Sequence, residues 1–243
     1  MAKLEIFLGM SEQAIRQRVV EEAQKYLGVV EGTIEHKKIV DIYNSQRKLP
    51  RGYRLQYNDA WCAAFMTFIG IVLGISDVIL PECGCPDMLE LYKAIGRWEE
   101  RDDYVPQPGD LVMYNWNGKS GENTGSPDHV GMVVSVKGKT ITVIEGNFDN
   151  RVKLRSICVE YIKTRGFCLP DYASLVQHYT DVPDDIWYAK EIAKATELGI
   201  VNGVGNGEFD PERPVTRAEC AAIAARAVEV AVKLAIEETK KGQ

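Results

Sequence analysis

The spacing of apolar residues changes in the N-terminal two thirds of the chain, around Pro106 and Pro108-Gly109. Before this point, apolar residues recur every three or four positions, which predicts helices. These stretches are residues 11–28, 36–43, 58–69 and 87–98. After it, alternating apolar residues predict strands at 110–115, 129–136, 140–147 and 152–161, with Gly166-Phe167 beyond. Helices followed by antiparallel strands predict an α+β fold.

The strand pattern ends near residue 172, and a second region begins at Tyr179. Its composition is helical on both sides of a glycine-rich connection at 203–207. We therefore predict two domains, residues 1–172 and residues 179–243, the second being a small α-helical module. A polar, glycine-rich loop at 117–127 is predicted to border a substrate cleft in the first domain.

Charge and hydropathy exclude several classes of function. The chain has 29 basic and 35 acidic residues and no basic stripe, so nucleic acid is not an expected partner. Its longest apolar run, 65–75, is shorter than the roughly 20 residues of a membrane-spanning helix. The first ten residues lack the features of a secretion signal, and no membrane association is expected. We therefore predict that the protein accumulates in the cytoplasm.

The six cysteines are scattered along the chain, which predicts reduced thiols rather than a disulfide framework. Cys83 and Cys85 resemble half of a zinc site, but no second close pair or nearby histidine completes it. We therefore predict no metal and no cofactor.

Cys62 lies near the start of a predicted helix that Asn58 or Asp59 would cap. In the first helical turn, unpaired N–H groups and the positive end of the helix dipole favour a thiolate. Such a cysteine is a candidate nucleophile, and its own amide is a candidate donor to an oxyanion. A packing role for this cysteine remains open.

Strands 129–136 and 140–147 are joined by Lys137-Gly-Lys139, which predicts a three-residue hairpin. This register places His129 opposite Asn147, with Glu145 one pleat away on the same face. His129, Gly131 and Ser135 would form an open face, and the buried face would consist of Val130, Met132, Val134 and Val136. A surface histidine beside a surface carboxylate remains the alternative. His36 and His178 are predicted to be ordinary surface residues.

Four strings in this order, YNDAWCAAF, PGDLVMYNW, SPDHVGMVVSV and IEGNFDNRV, resemble the CHAP family of cysteine, histidine-dependent amidohydrolases/peptidases. The resemblance covers roughly residues 11–172 and implies a papain-like fold. It implies that Cys62 is the nucleophile, that His129 is the general base and then the acid, and that Glu145 orients the imidazole. Asn147 matches a further polar position of the family's site. Some relatives carry an aspartate-rich calcium loop before the cysteine, but residues 52–57 contain no acidic ligand, so we predict no calcium.

Residues 179–226 resemble one complete S-layer homology repeat, with anchor motifs such as Leu198-Gly-Ile200 and Gly207-Glu-Phe-Asp-Pro211 in order. The resemblance implies binding of an acidic secondary cell-wall polymer through Trp187 and Arg217, with a packing role for Trp187 as the alternative. Thr216 and Glu219 have the spacing of a capping box. The helix continues to Ile236, and its apolar positions predict self-association.

Together, the two resemblances imply a peptidoglycan hydrolase of the endolysin type, encoded by a phage or prophage of a Gram-positive host. It would fold in the cytoplasm and then act at the cell wall. The preferred reaction is that of an N-acetylmuramoyl-L-alanine amidase. The alternatives are a D,L- or cross-bridge endopeptidase, a host autolysin, and a wall-binding protein without catalytic activity.

Overall fold

The structure is a computed structural model that describes residues 6–101, 103–117, 125–183 and 185–241. It divides into two compact units, one formed by Arg16–Ser174 and the other by Met1–Ile15 with Leu175–Gln243. In the second unit, the N-terminal segment pairs with the C-terminal region, because the Gly9 N–H donates to the Gln177 carbonyl at 2.8 Å. The domain limits 1–172 and 179–243 stay a prediction.

Four helices precede the main strands: α1 (Glu12–Gln24), α2 (Ile34–Asn44), α3 (Cys62–Val72) and α4 (Cys85–Ala94). Thr33 caps α2 by accepting a hydrogen bond from the His36 N–H at 3.3 Å. The helix α3 is buried from Cys62 to Gly70, because its sequence is apolar on all sides. It is the central helix of the Arg16–Ser174 unit.

The strands form one antiparallel sheet in the order β1-β6-β2-β3-β4-β5. Their bounds are Trp98–Glu99, Leu111–Tyr114, His129–Lys137, Thr140–Glu145, Lys153–Cys158 and Thr164–Cys168 for β1 to β6. Helices followed by an antiparallel sheet confirm the predicted α+β class. The long strand β3 lies near the middle of the sheet, and the catalytic candidate His129 begins it.

The hairpin between β3 and β4 differs from the three-residue loop predicted. Lys137 pairs with Thr140, so the turn contains two residues, and a bulge between Val133 and Ser135 then shifts the register by one. Beyond the bulge, Met132 pairs with Ile144, as predicted. The shorter turn and the bulge therefore compensate each other, and the register is as predicted at the end of the hairpin that carries His129 and Glu145.

The predicted open face of β3 is wrong for His129 and Gly131, which are buried, whereas Ser135 is exposed as predicted. Val133 belongs to a core cluster with Val143 of β4 and Ile157 of β5. Val130 and Met132 on the opposite face are also fully buried. The sheet is therefore covered on both faces at this end, and the exposed residues of β3 are Ser135 and Lys137, next to the hairpin.

The unit that holds the C-terminal residues contains α5 (Ala189–Glu197) and α6 (Arg217–Lys241). Its core cluster consists of Tyr179, Val182 and Ile192, with partly buried side chains packed around it. The Asp181 carboxylate accepts hydrogen bonds from the backbone N–H groups of Phe209 and Asp210 at 2.8 and 2.6 Å, which secures the connection before α6. None of the helices in the described part of the chain is long and apolar enough to cross a membrane.

Candidate functional site

Cys62 is the first residue of α3 and is 4% exposed. Trp61 occupies the N-cap position, and its side chain does not cap the helix, because the indole N–H donates to the Glu31 carboxylate at 3.2 Å. The predicted cap by Asn58 or Asp59 is therefore wrong; the Asp59 carboxylate instead accepts hydrogen bonds from the Gln56 N–H and the Tyr53 hydroxyl at 2.7 and 2.8 Å. Because no side chain caps this helix, its first N–H groups remain available to the thiolate or to a ligand.

The surroundings of Cys62 favour its thiolate. The Cys85 thiol, with Sγ 3.6 Å from the Cys62 Sγ, makes the largest contribution that lowers the pKa of Cys62. The hydrogen bond and positive charge of His129 and the Ala63 N–H lower it further, while burial opposes them. The net result is a pKa well below the ordinary value of a cysteine. Cys62 and His129 are thus neighbours, although α3 and β3 are far apart in the sequence.

His129 is 4% exposed and is held by aromatic stacking. Its ring lies on the Trp116 indole, with centroids 4.2 Å apart and an interplanar angle of 21°. The preceding residue, Asp128, accepts hydrogen bonds from the Trp116 and Asn117 backbone N–H groups, both at 2.9 Å. This carboxylate therefore fixes the loop that carries the indole. Trp116 lies within the string PGDLVMYNW, but its spacing alone did not indicate that it packs on His129.

Glu145 ends β4 and is fully buried. Its Oε1 is 3.9 Å from His129 Nε2, which is too far for a hydrogen bond. Arg155 of β5 instead donates two hydrogen bonds to this carboxylate, from Nε to Oε2 at 2.9 Å and from Nη2 to Oε1 at 2.7 Å. The predicted proximity of Glu145 to His129 is present, and the carboxylate has a second partner that was not predicted.

Arg155 was missed by the sequence analysis. Its guanidinium carbon lies 4.7 to 5.5 Å from the centroids of four aromatic rings, those of Tyr114, Trp116, Phe148 and Tyr161. Three of these rings, those of Tyr114, Trp116 and Phe148, also contact the His129 ring. One arginine therefore holds the Glu145 carboxylate and supports the aromatic wall on which the imidazole stacks. The alternation of side chains along β5 was the available sequence signal. Arg155 pairs with Val143 of β4, so the two side chains lie on the same face of the sheet.

Asn147 follows β4 in a turn, with φ at 57°. Its side-chain Oδ1 is buried and has no hydrogen-bond partner among the described residues. The same is true of His129 Nε2. Both predicted site residues therefore place a buried polar atom without a hydrogen-bond partner among the described residues.

Two glycines allow the site elements to approach one another. A Cβ on Gly131 of β3 would lie 2.6 Å from Glu145 Cγ, and a Cβ on Gly146 would lie 2.7 Å from Phe65 Cβ. Gly131 therefore leaves the space that the Glu145 side chain occupies. Gly146 allows the end of β4 to pack closely against α3, the helix that begins with Cys62.

Two other polar side chains near α3 have partners outside the site. Gln56, six residues before Cys62, donates from its Nε2 to the Arg54 carbonyl at 2.9 Å. The prediction that His36 is on the surface is wrong, because this ring is fully buried, accepts a hydrogen bond from the Gly32 N–H and packs on Trp61. His36 is a structural residue of the core.

In the other unit, the two predicted wall-binding residues are exposed. Trp187 is 80% exposed and contacts the Tyr188 ring edge-on, which argues against a core-packing role. Arg217 is the exposed first residue of α6. The capping box is confirmed: the Glu219 carboxylate accepts from the Thr216 N–H at 2.8 Å, and the Thr216 hydroxyl accepts from the Glu219 N–H at 3.2 Å.

Comparison with known proteins gives matches in both parts of the chain. A cell surface protein of Thermoanaerobacter kivui is 49% identical over 41 residues, which are 17% of this chain and 5% of that protein. The crystal structure of Ly7917 is similar with a TM-score of 0.37 and 13% identity, covering 64% of this chain and 62% of that one. The structure described as Ly7917 with the hydrolyzing product of MDP has the same TM-score and coverage at 14% identity.

The chain thus spans less than two thirds of these relatives' lengths. Family profiles match over defined segments: the CHAP domain profile matches residues 52–147, and the S-layer homology domain profile matches residues 178–221. Cys62, His129, Glu145 and Asn147 lie inside the first segment, and Trp187 and Arg217 lie inside the second. The chain therefore contains a CHAP domain followed by an S-layer homology domain.

Proposed function

We propose that the protein is a cysteine-dependent peptidoglycan hydrolase, an N-acetylmuramoyl-L-alanine amidase that its S-layer homology domain holds at the cell wall. The contact between Cys62, at the uncapped start of α3, and His129, at the start of β3, carries this proposal. A thiolate beside an imidazole is the arrangement that nucleophilic attack on an amide requires. The CHAP match adds the substrate class.

The proposed reaction begins when the Cys62 thiolate attacks the carbonyl carbon of the amide between the lactyl group and L-alanine. The backbone N–H of Cys62 is the proposed donor to the oxyanion. As the tetrahedral intermediate collapses, the C–N bond breaks and protonated His129 gives its proton to the departing amine nitrogen. The stem peptide leaves with a free amino terminus, and the lactyl carbon remains on Cys62 as a thioester.

Water completes the cycle. His129 removes a proton from a water molecule, the resulting hydroxide attacks the thioester, and the C–S bond breaks. The lactyl carboxylic acid leaves and the Cys62 thiolate is restored. Glu145 has an electrostatic role in this scheme, because its Oε1 is 3.9 Å from His129 Nε2 and stabilises the positive charge that the imidazole carries before it protonates the amine and again after it takes the proton from water. Asn147 is proposed to orient a substrate group or water through its unsatisfied Oδ1.

The S-layer homology domain is proposed to bind an acidic wall polymer through Trp187 and Arg217. An exposed indole offers a flat apolar face for a sugar ring, and an exposed guanidinium pairs with carboxylate or phosphate groups. The endolysin role, with folding in the cytoplasm of an infected Gram-positive cell, is part of the same proposal. Self-association through the exposed apolar positions of α6, such as Val228 and Val232, stays a prediction that light scattering tests.

Mass spectrometry of digested Gram-positive peptidoglycan tests the reaction. The intact chain is compared with Cys62→Ala and with Cys158→Ala, a matched control that removes an exposed thiol from β5. We expect stem peptides that begin with L-alanine from the wild type and from Cys158→Ala. Cys62→Ala should release them at least about a thousandfold more slowly and should still sediment with purified walls.

Each other result selects an alternative. New ends inside the stem peptide or cross-bridge would replace the amidase with an endopeptidase, with Cys62 and His129 in the same roles. Equal cutting by Cys62→Ala and the wild type would remove the cysteine mechanism. No cutting by any of the three proteins, with sedimentation intact, would favour a wall-binding protein without catalytic activity.

A further inference from the structure

A second thiol contacts the proposed nucleophile. Cys85 is the first residue of α4 and is 5% exposed, and its Sγ is 3.6 Å from the Sγ of Cys62. At this separation either sulfur is able to donate a hydrogen bond to the other. The reaction scheme above assigns Cys85 no role, although it touches the reacting atom.

We propose that Cys85 is a further catalytic residue, whose thiol donates a hydrogen bond to the Cys62 thiolate and keeps the nucleophile ionised inside a buried site. This inference rests on the proposed function, because it takes Cys62 as the nucleophile. Burial by itself favours the neutral thiol, so a buried thiolate needs nearby donors. Cys85 provides one where water has little access.

The groups around the pair decide which sulfur carries the charge. On the side of Cys62, the Cys85 hydrogen bond lowers the pKa of the thiol most, and His129 of β3 and the Ala63 N–H lower it further. On the side of Cys85, the hydrogen bond with Cys62 and burial raise the pKa of the thiol, and the charges of Cys62, Asp128 and Cys168 raise it further. These surroundings favour the thiolate on Cys62 and the proton on Cys85.

A packing role is the competing explanation, since cysteine behaves as a small apolar residue in cores. Packing alone predicts no dependence on whether residue 85 can donate a hydrogen bond. Alanine and serine separate the two explanations. Cys85→Ala removes the donor, whereas Cys85→Ser keeps a hydroxyl donor of similar size.

The test measures the ionisation of Cys62 directly. The intact chain is kept reduced with a phosphine and treated with iodoacetamide over a range of pH, and peptide mass spectrometry follows alkylation of Cys62 alone. The variants are Cys85→Ala, Cys85→Ser and Cys158→Ala, the last of which removes an exposed thiol of β5 that is not part of the site. Circular dichroism confirms that each variant is folded before the comparison.

We expect Cys85→Ala to raise the pH midpoint of Cys62 alkylation by about one unit, which slows the reaction about tenfold on the acid side. Cys85→Ser and Cys158→Ala should remain close to the wild type. The acid limb of the pH profile for peptidoglycan cleavage should move in the same direction in Cys85→Ala only. Equal midpoints for Cys85→Ala and the wild type, or an equal shift in Cys85→Ser, would overturn the proposal.

Alkylation does not require hydrolysis, so the two proposals fail separately. A shifted midpoint in Cys85→Ala, together with a wild-type chain that cuts no peptidoglycan, would preserve the thiol pair and remove the substrate assignment. A wild type that cuts, with no shift in the variant, would remove the role of Cys85 alone.

Discussion

The CHAP-containing unit and the unit that holds the S-layer homology domain place their candidate functional residues in opposite environments. Cys62, His129 and Glu145 are each less than 5% exposed, whereas Trp187 is 80% exposed. Covalent chemistry on an amide needs groups that are held rigidly and shielded from water, because hydrogen bonds and charges act more strongly on the reacting atoms where water is excluded. Attachment to a polymer needs groups that the polymer can reach. The two units therefore differ as expected for a cutting site and an anchoring surface.

The supporting residues differ in the same way. Glu145 is held by a bidentate arginine, and His129 stacks on an indole that a neighbouring carboxylate fixes. In the other unit, Trp187 contacts the Tyr188 ring edge-on, and Arg217 is the first residue of α6. Substitutions near the first site should therefore change both stability and chemistry. Substitutions in the second should change binding alone.

Arg155→Leu should have the largest effect on stability and should also reduce cleavage, because it leaves the buried Glu145 carboxylate without its bidentate partner. We expect a loss of about 3 kcal/mol in the free energy of unfolding, since breaking a buried ion pair strands a charge. Urea denaturation measures this loss. The matched control is Lys153→Ala on the same strand, whose pair with the exposed Asp149 should contribute less than about 1 kcal/mol. Equal losses in the two variants would mean that burial of the Glu145 carboxylate does not increase the contribution of its ion pair to stability.

Gly131→Ala tests whether the close packing at the site is required. The new methyl group would lie 2.6 Å from Glu145 Cγ and from Val143 Cγ1, so a side chain of the site must move. Overpacking of this kind costs about 1–3 kcal/mol, and the displaced carboxylate should also slow cleavage. Thermal unfolding and a cleavage assay at saturating substrate measure the two effects. A variant with normal stability and normal rate would show that Glu145 tolerates another position.

Trp187→Ala tests the expectation that substitutions in the S-layer homology domain change wall binding and leave stability unaltered. Because this indole is largely exposed, its removal should change the free energy of unfolding by less than about 0.5 kcal/mol. Wall binding should weaken about tenfold, since exposed aromatic residues that meet a partner are frequent binding hot spots. Sedimentation with purified walls measures the binding, and cleavage of soluble fragments should be unchanged. Arg217→Ala should act in the same direction, whereas unchanged binding in both variants would move the wall contact to another surface.

The smallest effect should come from pH at the start of α6. Hydrogen bonding from Arg213 and from Thr216 lowers the pKa of Glu219 to about 2, from an ordinary value of 4.5. Folding therefore favours the ionised carboxylate, so its contribution is complete above pH 4.5 and is lost as the pH falls toward about 2. Circular dichroism of the wild type and Glu219→Gln between these values should show a pH-dependent loss of helix stability in the wild type that the variant lacks. Parallel curves would mean that the capping box adds nothing measurable.

Local sequence was sufficient for much of this organisation. The four N-terminal helices, the strands β2 to β6, the capping box of Thr216 and Glu219 and the proximity of His129 to Glu145 were predicted, because each depends on residues close together in the chain. The short strand β1 was not predicted, since Trp98 was placed at the end of a helix. The predicted register of the β3–β4 hairpin was also correct at Met132, because the hydrophobic pattern restricts the register. Its two-residue turn and compensating bulge were not predictable, because both satisfy the same pattern.

The remaining features were decided by contacts between distant segments. Whether His36 is buried, whether Asp59 caps α3 and whether Arg155 meets Glu145 depend on how helices and strands pack, and sequence periodicity carries no information about that packing. The pairing of Cys62 with Cys85 has the same origin, since the two helix starts meet only in the folded chain. The sequence by itself determined the residue types, the elements and their order. Tertiary structure alone decided which partners the reactive groups have, because burial and charge pairing arise when separate elements come together.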